Sequence, residues 1–329
     1  MYTERWTFNI QHELANNLIL EMGYIGSHGL HLPVSVNRDY VPRQFLSPSL
    51  ARDNTVNNAL TANVANPFQG LLPNTNLNGS TIAVSQLLMP YPQLTGLSED
   101  SDTAGSSIYH AAAVRIEKRF SHGLQFLTSI TRSKLEEIRS RLNPSDPYFE
   151  KRVGTDNRPW RFVESGTYEL PFGKGKALLS SPPAWANRIV GGWNVAGIFT
   201  LQSGTPLNWG NVIYYGGPLN LNPRNLSQAF DTTQFNTISS QQLVNNIRYF
   251  GTQFGNLSSD RTNNFDANLV KNTKIKERLN LQIRFEAFNA FNHTQFSGPT
   301  LSPTSGNFGK ITSQTNSPRV IQTAIRFVW

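Results

Sequence analysis

The stretch YHAAAVRIEKRFSHGLQFLTSITRSK, Tyr109 to Lys134, decides how the rest of the chain is read. Val114, Ile116 and Phe120 alternate with Arg115, Glu117 and Arg119, and then Ser121, His122 and Gly123 intervene. Leu124, Phe126, Thr128 and Ile130 follow, alternating with Gln125, Leu127, Ser129 and Thr131. Successive side chains of a strand point to opposite faces, so this pattern predicts two long strands joined by a tight turn. Each strand is apolar on one face over roughly the 9–11 residues that a tilted strand needs to cross a bilayer.

The alternation recurs outward from there. Trp6, Phe8 and Ile10 share a face opposite Thr7, Asn9 and Gln11, and Leu18, Leu20, Met22 and Tyr24 follow after a turn at Asn16-Asn17. Trp193, Val195, Gly197, Phe199 and Leu201 form another such row. RLNLQIRFEAF sets Leu279, Leu281, Ile283, Phe285 and Ala287 against Asn280, Gln282, Arg284 and Glu286. The closing RVIQTAIRFVW groups Ile321, Thr323, Ile325, Phe327 and Trp329 opposite Gln322, Ala324 and Arg326.

The expected strands are 5–13, 18–26, 108–120, 124–133, 160–170, 192–203, 264–271, 278–288 and 318–329. Their connections are short at 14–17, 121–123 and 272–277, intermediate at 171–191, and long at 27–107, 134–159, 204–263 and 289–317. Short and long connections alternate along the chain. An antiparallel up-and-down transmembrane β-barrel has this signature, with tight periplasmic turns and long extracellular loops. A soluble sandwich gives no reason for the asymmetry, and its strands are shorter.

Composition agrees with an all-β membrane protein. Only 15% of the 329 residues are charged and 38% are hydrophobic, while 20 Phe, 10 Tyr and 6 Trp argue against disorder. No run of about 18 apolar residues offers a transmembrane helix, but alternating strands keep mean hydropathy low. Cysteine is absent, which rules out disulfides and thiolate metal sites. The net charge of +8 is scattered along the chain, unlike the one-sided patch of a nucleic-acid binder, so no nucleic-acid partner is expected. The first residues lack the apolar core of a signal peptide. If the protein is exported, the expectation is therefore that this chain is a piece of a longer one.

Six segments resemble one family, the Oar-like TonB-dependent receptor barrels. They are WTFNIQHEL followed by LEMGYIGSHGLHL, the opening hairpin, DNRPWRFVESGTYELPFGKGK, GGWNVAGIFTLQSGTPL, RLNLQIRFEAFNAFNHTQF and FGKITSQTNSPRVIQTAIRFVW. The resemblance implies a barrel of about 22 strands preceded by a plug and often an extra N-terminal sandwich-like domain, and a short segment that pairs with the energy-coupling protein TonB. On this reading residues 1–329 are one barrel-domain fragment, the C-terminal portion with the plug and N-terminal domain absent. It implies the outer membrane of a Gram-negative bacterium, lipid and the TonB system as partners, and an unidentified transported ligand. The terminal row Ile321, Ile325, Phe327 and Trp329 resembles the sorting signal read by the barrel assembly machinery, in which a strand edge pairs while alternate side chains fill pockets.

No enzyme signature and no cofactor site emerges. His28 and His31 lie close together without spaced partners for a metal, and Glu99, Asp100 and Asp102 lack the spacing of a Ca²⁺ loop. Gly173 to Lys176 (GKGK) follows YELPF as a turn, without the strand–loop–helix context of a phosphate cradle. Glu136 and Glu137 sit in a charged loop. The residues expected to face the lumen are Arg115, Glu117, Arg119, Arg284, Glu286 and Arg326. Trp209, Tyr214 and Tyr215, in an Asn- and Gly-rich loop, are the candidates for ligand contact. Glu164 resists the scheme, since it shares a face with Phe162, Tyr168 and Leu170; it is near the rim, beside a bulge, or misassigned in register. A passive porin or adhesin-like barrel and a soluble β-rich carbohydrate-binding module are the alternative readings.

Overall fold

A computed structural model describes residues 1–254, 257–276 and 279–329. Its elements in chain order are β1 (Tyr2–Ala15), β2 (Leu18–Asn37), α1 (Asn54–Thr61), β3 (Asn63–Ala65), β4 (Thr81–Ala83), α2 (Val84–Leu87), β5 (Ser98–Ser121) and β6 (Leu124–Ser140). There follow β7 (Glu150–Val153), β8 (Trp160–Glu169), α3 (Ala184–Val190), β9 (Trp193–Gln202), β10 (Thr262–Lys276), β11 (Leu279–Phe288) and β12 (Val320–Val328). One antiparallel sheet runs β1-β2-β5-β6-β8-β9-β10-β11-β12, with β7 added along β6, and β3 pairs with β4 separately. Each long strand therefore lies beside its neighbour in sequence, the up-and-down order. Among the described residues no ladder joins β1 to β12.

The expected nine strands are all present, but several are longer than expected. The strand expected to end at residue 26 runs to Asn37, and its partner, expected from 108, begins at Ser98. The strand expected to end at 133 continues to Ser140. The loops expected at 27–107 and 134–159 shrink accordingly, and they hold α1, α2, the β3–β4 hairpin and β7 rather than irregular chain. In the extension of β2 the alternation itself continues, with Leu32, Val34 and Val36 on one face and the two valines buried, whereas the facing start of β5, Ser98 to Thr103, is polar throughout. Bulges at Gly29/Leu32, Leu32/Val34 and Val34/Val36 let the protruding β2–β5 hairpin twist. The expected strand start at Arg278 and turn end at Glu277 lie outside the described residues, as do residues 255 and 256 of the 204–263 loop.

Registers assign every strand residue to a face. Tyr24 opposes Phe8 and Ala112, Val114 opposes Met22 and Ile130, and Ile130 opposes Phe162. The row continues through Leu201 on β9, and a parallel one through Phe199 and Phe265. On β11 and β12, Leu281, Ile283 and Ala287 oppose Phe327, Ile325 and Ile321. Among the described residues this apolar face is largely without protein cover: Phe8 is 64% exposed and Ile325 67%. The aromatic core of the molecule lies elsewhere, in the loops, where Leu207, Trp209, Phe230, Phe235, Phe308 and Ile311 pack together. A soluble sandwich would do the reverse and bury the sheet's apolar face.

Glu164 belongs to the apolar face and is neither at the rim nor beside a bulge. The β6–β8 and β8–β9 registers run unbroken through it, placing it between Thr128 and Phe199. The Thr128 hydroxyl donates to its carboxylate. A single hydrogen bond satisfies part of the group where hydrocarbon cannot.

Candidate functional site

The polar face of the sheet collects the charged side chains. Glu21 of β2 opposes Arg115 of β5, and Arg115 lies 3.5 Å from Glu21 and 2.8 Å from Glu117, with Arg119 following 3.9 Å beyond Glu117. Alternation on one strand puts Arg115, Glu117 and Arg119 in a single row, and the neighbouring strand supplies the counter-charge. These side chains stay one-third to two-thirds exposed, so each pair is worth roughly 0.2–1 kcal/mol and leaves the charges free to meet a ligand.

Across the same face, Glu286 accepts from Gln322 Nε2 at 2.5 Å and Asn268 Nδ2 at 3.3 Å. The sheet curls enough for β5 and β11 to line one cavity of about 670 Å³, bounded by Arg115, Glu117, Arg119, Asp266, Asn268 and Glu286. Of the expected inner residues, Arg284 and Arg326 share this face but do not line the cavity. Arg284 donates to Gln282 Oε1 at 2.7 Å, and Arg326 opposes Gln282 in register. Asp266 and Asn268 were not singled out from the sequence. The signal was there, because Asn264, Asp266 and Asn268 alternate with Phe265, Ala267 and Leu269.

The long loops make a packed cap of their own. Trp209 stacks on Phe235 and Phe254 with ring centroids 4.9 Å apart and meets Phe230 edge-on at 5.3 Å. It is 2% exposed, so its expected role in ligand contact is corrected: the ring is spent on packing. Tyr214 leans on Phe235 at 5.1 Å and donates its hydroxyl to the Gly217 carbonyl, which removes it too from open contact. Tyr215, 62% exposed, alone of the three presents its ring outward. Arg248 braces the cap by donating to the carbonyls of Trp209 at 2.7 Å and Phe250 at 2.9 Å; burial pulls its pKa below the ordinary value.

Asp260 ties the β9–β10 and β11–β12 loops together. Its carboxylate, 1% exposed, accepts from Arg261 N and Phe296 N, both at 2.9 Å, with Arg224 3.5 Å away. Asp260→Asn removes the charge and mismatches one acceptor, so the cap is expected to lose about 1–3 kcal/mol of local stability. Hydrogen exchange at the Phe296 amide checks this: protection equal to the unaltered protein would contradict it.

The acidic cluster is likewise repositioned. Glu99, Asp100 and Asp102 open β5 rather than forming a loop; Arg38 holds Glu99 at 2.6 Å and Asp102 at 3.1 Å, and Ser35 donates to Asp100. Glu136 and Glu137 lie within β6, beside Lys134 at 3.0 Å and Arg152 at 3.0 Å. Among the described residues no group of three or more His, Asp or Glu gathers to hold a metal. The chemistry available here is recognition by charge and hydrogen bonding.

Comparison with known proteins accords with this geometry. The family model described as an outer membrane beta barrel domain matches residues 1–322. None of the curated proteins matches the chain. Among solved structures, the outer membrane transporter YddB from Escherichia coli aligns over 99% of this chain with 11% identity and a TM-score of 0.46. FpvA of P. aeruginosa, in a pyoverdine–iron complex, aligns over 99% with 12% identity and a TM-score of 0.36. The FpvAI–pyocin S2 complex aligns over 99% with 13% identity and a TM-score of 0.37. The chain spans 32% of the YddB chain and 26% of each of the other two.

Proposed function

The chain belongs to the outer membrane beta barrel domain family and resides in the outer membrane, and from that premise we propose that it is the C-terminal barrel part of a TonB-dependent receptor. The intact protein takes up a large nutrient, a carbohydrate, peptide or metal chelate, with energy passed by TonB to a plug. The observation that carries this reading is the division of one sheet into an exposed apolar face and an inner face whose charges line a cavity. The six segments that resemble Oar-like receptors, in the family's order, point to energy-coupled uptake rather than a passive pore.

Nine long strands with unjoined outer edges are compatible with a share of a larger barrel, because open edges leave backbone groups unsatisfied in lipid. In this role Arg115, Glu117, Arg119 and Glu286 contact a plug or a polar substrate, and Tyr215 meets substrate at the cap. Ile321, Ile325, Phe327 and Trp329 engage the assembly machinery.

Reading the coding sequence upstream of Met1 tests the proposal. An in-frame plug with a TonB-pairing segment is expected. If the gene encodes no plug, and permeation persists in cells without TonB, the protein is a passive porin and the receptor reading fails.

A further inference from the structure

The connection between β8 and β9 differs from the other turns on its side of the sheet. Asn16-Asn17 and His122-Gly123 close their hairpins in two residues, whereas residues 170–192 form a folded unit containing α3. Leu178 N donates to Pro171 O at 2.8 Å, and Gly173 N returns to Leu178 O at 3.0 Å. Lys174 N donates to Asn187 Oδ1 at 2.7 Å and Trp193 Nε1 to Ile189 O at 2.9 Å. Gly173, at φ +112°, stands where a Cβ would come within 2.8 Å of Gly191 Cα, so a glycine is needed for the two ends to close.

Two features of this unit meet along one wall. Leu170, Trp193 and Leu269 belong to the sheet's apolar face, and with Phe172, Leu179 and Ile189 they line an apolar hollow of about 500 Å³. Phe172 also borders a crevice of about 240 Å³ carrying Lys174, Lys176, Arg188, Lys271 and Lys274, with no carboxylate among its described lining. Lys176 reaches outside the crevice to Glu169 at 2.8 Å, and Lys271 donates to the Gly191 carbonyl. Trp185 and Ile189 of α3 remain 70% and 61% exposed. Two large apolar side chains thus stand exposed on the same connection as the cationic crevice.

A hollow open to hydrocarbon and a cationic crevice at its edge complement a lipid with a negatively charged headgroup. We propose that the β8–β9 connection binds the phosphate of an anionic phospholipid in the leaflet next to the short turns. An acyl chain lies over Leu179, Ile189 and Trp193, and the phosphate sits among Lys174, Lys176 and Arg188. This inference rests on the transmembrane reading of the sheet, and is independent of the transported compound and of TonB.

Native mass spectrometry of the full-length protein in neutral detergent tests it. Dioleoyl phosphatidylglycerol, dioleoyl phosphatidylcholine and inorganic phosphate serve as separate probes. Phosphatidylglycerol is expected to form a one-lipid adduct at about tenfold lower concentration than phosphatidylcholine. The variant K174Q/K176Q/R188Q is expected to lose that preference, and L179D/I189D to lose adducts of both lipids. Equal binding of the two lipids, an unchanged preference in the triple variant, or displacement of the lipid by millimolar phosphate alone would each overturn the proposal. If the triple variant no longer shows heat-modifiable mobility, K174Q alone decides, because the Lys174 side chain is exposed and its substitution leaves the fold intact. Loss of nutrient uptake with lipid preference retained bears only on the receptor reading.

Discussion

Val114→Arg is expected to lower folding stability in a bilayer by about 2–4 kcal/mol, whereas Ala113→Arg, one residue away, costs about 1 kcal/mol or less. The two positions share a strand, a backbone environment and a depth. They differ only in direction. Val114 lies between Met22 and Ile130 on the uncovered apolar face, so an arginine there points into hydrocarbon at mid-belt. Ala113 lies between Gly23 and Thr131 on the inner face, where water hydrates the guanidinium. Urea unfolding of the full-length protein in lipid vesicles, followed by tryptophan fluorescence, measures the difference. Equal penalties, or a larger one at Ala113, would mean that the faces are reversed or that the sheet never meets lipid.

The second large effect concerns assembly. Replacing Phe327 and Trp329 together by Asp is expected to reduce outer-membrane yield on the order of tenfold, while Arg326→Ser leaves yield near normal. On β12, Phe327 opposes Leu281 and Ile325 opposes Ile283, so the apolar row continues that of β11. The other edge of β12 pairs with nothing among the described residues, and Ile321 and Trp329 are 66% and 90% exposed. An edge with free ladder groups and protruding alternate side chains suits capture by strand addition. The band that shifts in mobility on heating reports the yield of folded barrel. An unchanged band in the double variant would remove the sorting role from this strand.

How far the sequence could be read follows from what periodicity measures. Alternation reports the medium on each side of a strand, so the rows at Val114, Phe199 and Ile283 located the apolar belt and its strand order. The reading stopped at Gly26 although the alternation goes on: Leu32, Val34 and Val36 share a face and the two valines are buried, while bulges shift the pairing with β5. Glu164 was placed on the correct face by spacing alone, but its hydrogen bond with Thr128 depends on which strand lies beside β8, a fact that no single strand encodes. Trp209 was misjudged because a loop rich in Trp, Tyr and Asn has the same composition whether it greets a ligand or packs inward. Its ring is covered by Phe230, Phe235 and Phe254 of the same long loop, a fold-back that composition does not encode. The folded connection around α3 carried no periodic signal, being too short for helical spacing to show.

The aromatic cap also sets an order in time. Phe230 and Phe235 wait for Phe308, a partner roughly seventy residues downstream that arrives only once β10 and β11 stand side by side. Closing so long a loop is entropically slow, so the cap condenses after the hairpin beneath it. Until then the sides of Phe230 and Phe235 that meet Phe308 stay open to proteases and chaperones.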